Sequence, residues 1–315
     1  MPSISVCVPV FNEEDNIEHL VSRVGGVLGS IGVATSGKPH EIVFVDDGST
    51  DRTAVLLEAH VRRGHSFRVS LVRFSRNFGH QIALTAALDH AGGDVCFLID
   101  GDLQDRPEEL ERFVAEYRAG ADVVYARRIK RKESWWLRLS YRFFYRMARM
   151  LSEEPLPLDA GDFSLVSRRV VEVMKAAPER NRYLRGLRSW AGFQQMEIPV
   201  ERAARNAGES KYGIWKLFKL ACDGIFSFSV MPLRFAAIIG ALTLGGAILF
   251  SGYALYARLF LGVSPPGFTA LTFLLVTFSG IQLLFMGIIG EYVGRIYQEA
   301  KRRPQYVVDE VLESE

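Results

Sequence analysis

Two long stretches of this chain carry no charge, and they limit what it can fold into more than any other feature. No Asp, Glu, Lys or Arg occurs from Phe235 to Ala257 or from Gly267 to Gly290. Each run exceeds the roughly 20 residues that an α-helix needs to cross a bilayer core. Helices of soluble proteins rarely stay uncharged on every face for so long, so the runs predict a pair of transmembrane helices. Between them, "RLFLGVSPPGF" carries one charge and a Pro265-Pro266 break, which suits a short hairpin turn. Lys211, Lys216, Lys219 and Arg234 precede the first run, and Arg295, Lys301, Arg302 and Arg303 follow the second. The positive-inside rule therefore predicts that both ends face the cytoplasm.

The chain before these runs has a different pattern. Five short apolar segments, "ISVCVPV", "EIVFVDDGST", "RVSLVRFSRN", "VCFLIDGD" and "DVVYARR", alternate with helix-like stretches such as "NIEHLVSRVGGVL", "RTAVLLEAHVRR" and "QIALTAALDHA". This alternation predicts βαβ units and a largely parallel, doubly covered sheet across roughly the first 128 residues. Neither a Gly-x-Gly-x-x-Gly after the first strand nor a Walker lysine motif is present, so the usual phosphate cradles are missing. Ligands of open α/β sheets collect where the strands end, and there "VCFLIDGDLQDRPEE" runs into Asp100 and Asp102, with Glu108 and Glu109 beyond. Gly101 lets the backbone turn tightly enough for two hard oxygen ligands to converge on a divalent cation. The same residues equally suit an Asx-turn and a helix cap with Pro107 at the first helical position, and this stretch alone leaves both readings open.

A 49% hydrophobic composition supports a sizeable core, and a net charge of +2 calls for neither nucleic acid nor an acidic partner. Cys7, Cys96 and Cys222 all lie in apolar segments, so a reducing compartment fits and a disulfide framework does not. Met1-Pro2-Ser3 leads straight into the first strand, which predicts a first domain in the cytosol. Two segments read as interfacial helices. In residues 134–151, Arg138, Arg142, Arg146 and Arg149 form one helical stripe beside Trp135, Leu139, Phe143 and Met150, as expected on anionic lipid headgroups. Residues near 214–233 are similar and feed into the first apolar run. These basic stripes adjoin membrane helices rather than a base-stacking aromatic platform, which argues against nucleic acid.

Seven stretches together, "VPVFNEEDNI", "VDDGSTDRT", "SRNFGHQIALTAALDHAGGD", "IDGDLQDRPEE", "AGDFSLVSRR", "GESKYG" and "GEYVGRIYQEAKRRP", resemble the polyprenyl-phosphate glycosyltransferases of glycosyltransferase family two. That group includes dolichyl-phosphate mannose synthases and bacterial undecaprenyl-phosphate glucosyl- and aminoarabinosyltransferases. The resemblance implies a Rossmann-like α/β domain of the GT-A fold over residues 1–233, a two-helix transmembrane hairpin over 234–291 and a cytosolic tail over 292–315. It also implies a bacterial inner-membrane enzyme with its catalytic domain facing the cytoplasm. By the same resemblance, Pro9, Asn12, Glu13 and Asp47 line the nucleoside pocket of a nucleotide sugar. Asp100, Asp102 and Gln104 hold Mg²⁺ or Mn²⁺, and Asp162 is the catalytic base. Arg127, Arg128, Arg202, Arg205 and Lys211 hold the phosphates, including that of a polyprenyl phosphate acceptor, by bidentate fork or point charge. UDP-glucose and undecaprenyl phosphate are the expected substrates, membrane lipids surround the hairpin, and self-association is left open.

Three positions depart from the group: Ala87 replaces a usual glycine, Arg106 a usual proline, and Ser164 an arginine common in the glucosyltransferase branch. Ser164 bears on the choice of sugar. A processive polysaccharide synthase would normally show Gln-x-x-Arg-Trp where this chain has "RGLRSWAG", and two spans are few for a polymer channel. A non-catalytic sugar-nucleotide scaffold fits poorly with an intact Asp-x-Asp and Asp162. The topology is testable by cysteine labelling in intact cells: a cysteine at Ser264 should react with an impermeant reagent from outside, and one at Ser314 should not.

Overall fold

A computed structural model of the chain describes residues 1–128, 160–179, 182–200, 231–260 and 267–314. The expected interfacial helix at 134–151, nearly all of the one near 214–233, and Arg202, Arg205 and Lys211 lie outside the described residues.

The five expected strands are present as β1 (Ile4–Val10), β2 (Glu41–Asp46), β3 (Arg68–Phe74), β4 (Val95–Leu98) and β5 (Val123–Arg128). Strands β1, β2 and β4 are buried along their whole length, which explains why they read as continuous apolar runs rather than alternating ones. Helices α1 (Ile17–Ile31), α2 (Thr53–Arg62) and α4 (Leu110–Arg118) line one face of the sheet. On that face Phe97 of β4 meets Phe113 of α4 and Phe163 edge-on, with centroids 5.6 and 5.1 Å away. Helices α3 (His80–His90), α5 (Arg168–Ala176) and α6 (Leu184–Trp190) cover the other face. In α1, Ile17, Leu20, Val21, Val24, Val27, Leu28 and Ile31 form the buried stripe, spaced as one face of a 3.6-residue period requires.

Three further strands, β6 (Ala160–Ser167), β7 (Gln195–Val200) and β8 (Val308–Glu313), complete the sheet, whose strand order is β7-β5-β6-β4-β1-β2-β3-β8. β4, β1, β2 and β3 run parallel, as does β5 with β7. Between the two groups, β6 runs antiparallel to both β4 and β5. Asp162 is therefore in a strand, and the helix after "AGDFSLVS" begins only at Arg168. Period-two alternation across β6 sends Phe163 and Leu165 into one core and Val166 into the other.

Helix α7 (Met231–Phe260) and helix α8 (Phe268–Ala300) form the apolar part and pack against each other. Among the described residues one stretch, Leu233–Ala257, with 25 residues and mean hydropathy 2.0, is long and apolar enough to cross a membrane. Beyond α8 the chain does not end as a separate tail. Residues 303–315 join the α/β unit, and β8 (Val308–Glu313) pairs antiparallel with β3. It covers what would otherwise be a bare sheet edge. Its half-exposed, acid-rich sequence lacks the apolar run that marks the inner strands.

Tyr306 anchors this return. Its ring stacks on Phe74 at 5.0 Å and its hydroxyl donates to Asp89 Oδ2 at 2.9 Å; burial, and then the neighbouring Asp89 carboxylate, raise the phenol pKa above its ordinary value. Tyr306→Phe should cost about 1 kcal/mol or slightly more, since the partner is charged, and Tyr306→Ala about 3 kcal/mol through the lost stacking as well. Thermal unfolding of the detergent-solubilised protein checks both.

Candidate active site

The C-terminal ends of β1, β2 and β4 open on one cleft of ≈ 290 Å³, whose lining includes Pro9, Glu13, Asp47, His80, Asp100 and Asp102. Two glycines allow the loops to close on each other. A Cβ on Gly101 would lie 3.0 Å from Val10 Cγ1 and 3.2 Å from the Pro9 carbonyl oxygen, so a larger residue would push the β4 loop off β1 by a few tenths of an ångström. Gly48 has φ +74, and its Cβ would fall 2.6 Å from the Arg76 carbonyl carbon. That contact seats residues 76–79 beside β2, where Asp47 accepts the Phe78 amide at 2.6 Å and the Gly79 amide at 2.9 Å. Burial raises the Asp47 carboxyl against the pull of these two donors. Asp47 thus lines the cleft and also shapes the loop that leads into α3.

The other expected donor-side residues divide in the same way. Glu13 lines the cleft, its amide donates to Thr53 Oγ1 at 2.9 Å, and its carboxylate accepts from Asn16 at 2.5 Å. Asn12 is outside the lining. At φ 56 it ties the first two loops together, its Oδ1 accepting the Thr50 amide at 2.8 Å. Asp102 both faces the cleft and makes an Asx-turn, Oδ1 accepting the Gln104 amide at 3.1 Å. The Asx-turn expected as the structural reading is present at this residue, although the short helix Pro107–Glu109 is flanked by Arg106 rather than by Asp102. Gln104 contributes that amide and is outside the lining. Leu103, between them, has φ 55, an unusual conformation for a branched apolar residue that costs of order 1 kcal/mol or more.

Asp100 and Asp102 suit a divalent ion. Among the described residues no group of three or more His, Cys, Asp or Glu is arranged to hold one. Two carboxylates at a glycine turn, with phosphate oxygens and water completing the shell, are nonetheless a common way of binding Mg²⁺.

Opposite them lies Asp162, 8% exposed. Leu98 pairs with Ser164 across the antiparallel ladder, so two residues further along Asp162 comes level with Asp100. His80 Nε2 stands between them, 3.5 Å from Asp100 Oδ1 and 3.7 Å from Asp162 Oδ2. Burial would lower the imidazole pKa, but these two carboxylates prevail and raise it. Arg185 of α6 grips Asp162 in a bidentate fork, Nε to Oδ1 and Nη2 to Oδ2, both at 2.8 Å. Gln81 adds a third donor at 3.1 Å and accepts the Leu184 amide at 3.2 Å, joining α3 to α6. Burial would raise the Asp162 carboxyl, yet Arg185 and then His80 hold it far below its ordinary 3.8. One turn along α6, Arg188 is 3% exposed and its pKa is pushed down to about 10, mainly by burial.

Arg127 and Arg128 end β5 at the same end of the sheet; Arg127 is half-exposed and pairs with Glu197 at 3.2 Å. Ser164 is fully buried, its hydroxyl donating to the Asp162 carbonyl at 2.8 Å, and it is outside the cleft lining. The sequence reading assigned no role to His80, Gln81, Arg185 or Arg188. Their signal was present in "SRNFGHQ" and "RGLRSW", but neither stretch shows by itself that its side chains meet a carboxylate on a distant strand.

Mixed sheet and strand-end carboxylates together define an enzyme of the GT-A fold. The family model "Glycosyl transferase family 2" matches residues 5–174, from β1 into α5. Relatives agree along nearly the whole chain. The "Uncharacterized glycosyltransferase YkcC" of Bacillus subtilis is 42% identical over 308 residues, 96% of this chain and 92% of that protein. A "Bactoprenol glucosyl transferase" of Shigella phage SfV is 39% identical, covering 97% of each chain. An "Undecaprenyl-phosphate 4-deoxy-4-formamido-L-arabinose transferase" of Edwardsiella ictaluri is 34% identical, covering 98% and 94%. The chain belongs to glycosyltransferase family 2.

The depressed Asp162 pKa fixes the sign of a stability effect. Its contribution is complete above the ordinary carboxylate value and is lost as pH falls below 3.8. Asp162→Asn should therefore destabilise the protein near neutrality, and the gap to the parent should narrow in acid. About 2 to 3 kcal/mol is expected, less than for a fully buried pair, because Arg185 is 30% exposed. Unfolding temperatures measured across pH check this.

Proposed function

We propose that the protein transfers glucose from UDP-glucose to undecaprenyl phosphate, giving a polyprenyl-monophosphate sugar and UDP with inversion at the anomeric carbon. The observation that carries this reading is the cleft, with strand-end carboxylates suited to a diphosphate donor on one side and an arginine-bound carboxylate on the other. The names of two relatives support the lipid phosphate acceptor, and their similarity extends through the apolar C-terminal part. Glucose is preferred because the relative named for it is more similar than the one named for the aminoarabinose derivative. The uncharged runs support a hairpin over 234–291 that crosses the bacterial inner membrane twice, with the α/β domain on the cytoplasmic side.

Pro9, Glu13 and Asp47 hold the nucleoside, with Asn12 bracing their loops. A divalent ion, Mg²⁺ or Mn²⁺, held by Asp100 and Asp102 would compensate charge on the departing diphosphate. A lipid phosphate oxygen attacks the sugar C1 from the face opposite the diphosphate; the new C–O bond forms as the old one breaks, and UDP leaves. Arg127, Arg128, Arg202, Arg205 and Lys211 provide cations for the phosphates.

Purified protein with both substrates provides the test. Mass spectrometry should find a lipid monophosphate sugar and UDP. Release of UMP with a lipid diphosphate sugar would mean phosphosugar transfer, a polymer would mean a processive synthase, and binding without turnover would mean a scaffold. Asp102→Asn should lower turnover by about 100-fold or more and weaken metal-dependent donor binding. Full activity in that variant or in excess chelator would overturn the metal assignment.

A further inference from the structure

Asp162 stands where the resemblance implies a catalytic base, but its surroundings suit another task. The proposed nucleophile has no need of a strong base, because a phosphate monoester loses its second proton near pH ~6 and is mostly dianionic at neutrality. Both Asp162 oxygens are already engaged, Oδ1 by Arg185 and Oδ2 by Arg185 and Gln81. Accepting a proton would weaken two short, charge-assisted bonds at once.

Arg185, in contrast, has capacity to spare. Among the described residues its hydrogen bonds are the two to Asp162, made through Nε and Nη2, so Nη1 is uncommitted. Its side chain is 30% exposed while that of Asp162 is 8% exposed, so the fork is held from behind and open in front. Arg188, on the next turn, is buried and among the described residues has no partner for Nε and only a 3.5 Å approach of Nη2 to the Gly161 carbonyl oxygen. Its guanidinium lies 5.1 Å from the Tyr125 ring centroid, a contact that steadies the group without neutralising it. Arg185 and His80 are thus matched by Asp162 and Asp100, whereas Arg188 makes no ion pair among the described residues and leaves one positive charge in surplus. Where water is largely excluded, such a surplus of positive charge is costly until an anion joins it. The diphosphate already has the metal-binding carboxylates on the far side of His80, which leaves the second anion of the reaction.

We propose that Arg185, backed by Arg188 in the same helix, holds the phosphate of the lipid acceptor, and that Asp162 is a positioning residue that fixes the Arg185 fork. This rests on the polyprenyl phosphate reading above. Gln81 belongs to the same unit, since it ties Asp162 to the start of α6.

The test uses full-length protein in nanodiscs with undecaprenyl phosphate, measuring KM for the acceptor, kcat, and the affinity for UDP-glucose separately. Arg185→Gln should raise the acceptor KM about 10-fold or more with donor affinity within about 2-fold of the parent, and Arg185→Lys should recover part of the loss. Asp162→Asn should raise the same KM, and the double variant should be little worse than Arg185→Gln, as for residues acting as a unit. A fall of about 100-fold in kcat for Asp162→Asn with acceptor KM unchanged would restore the base and overturn the proposal. Weakened donor binding in Arg185→Gln with acceptor KM unchanged would assign Arg185 to the diphosphate and overturn it as well. If Arg185→Gln does not fold, Arg185→Lys carries the comparison, and an unchanged acceptor KM there counts against the proposal. Parent protein that fails to glycosylate undecaprenyl phosphate would defeat the functional reading itself, a result distinct from any change confined to the variants.

Discussion

Pairing of Leu98 with Ser164 across the antiparallel β4–β6 ladder sets where the charges of the cleft lie. A parallel sheet brings together only groups that follow strand ends. Because β6 runs the other way, its first residues arrive at the end where β4 finishes, and Asp162 comes level with Asp100. A register slip of one residue would turn Asp162 to the opposite face of the sheet. Phe163, packed against Phe97 and Phe113, and the fully buried Leu165 on the same face resist such a slip.

Two carboxylates brought this close repel unless cations stand between or behind them. His80 occupies the gap, and Arg185 and Arg188 approach from α6. The result is a cleft of two characters. Asp100 and Asp102 lie on the side proposed for a divalent cation, and the Asp162–Arg185 pair lies on the side proposed for the acceptor phosphate. A transfer between two phosphorylated molecules needs both, placed so that neither anion has to displace the other.

The loops that carry these groups are held by backbone demands. Gly101 lets the β4 loop touch β1, and Gly48 lets residues 76–79 reach the Asp47 carboxylate. β8 performs a related service at the far edge, where it completes β3 and brings Tyr306 onto Phe74. The last residues of the chain are thereby built into the same sheet as the first, and α7 and α8 are inserted between two parts of one α/β unit.

Much of this was legible in order along the chain. Continuous apolar runs mark β1, β2 and β4 because strands covered on both faces have no polar side to show. Uncharged length marks α7 and α8 as long helices, and Asp100 and Asp102 stand out by following such a strand. These are local signals, each contained within a couple of dozen residues. Tertiary structure alone decided that "AGDFSLVS" is a strand reversed against its neighbours, that "RGLRSW" turns Arg185 onto Asp162 and Arg188 onto Gly161 and Tyr125, and that the acid-rich end of the chain closes the sheet at β3. Each depends on a partner far away in sequence. Strand direction and the sharing of charge are properties of pairs, and a single stretch of residues carries only one member of each pair.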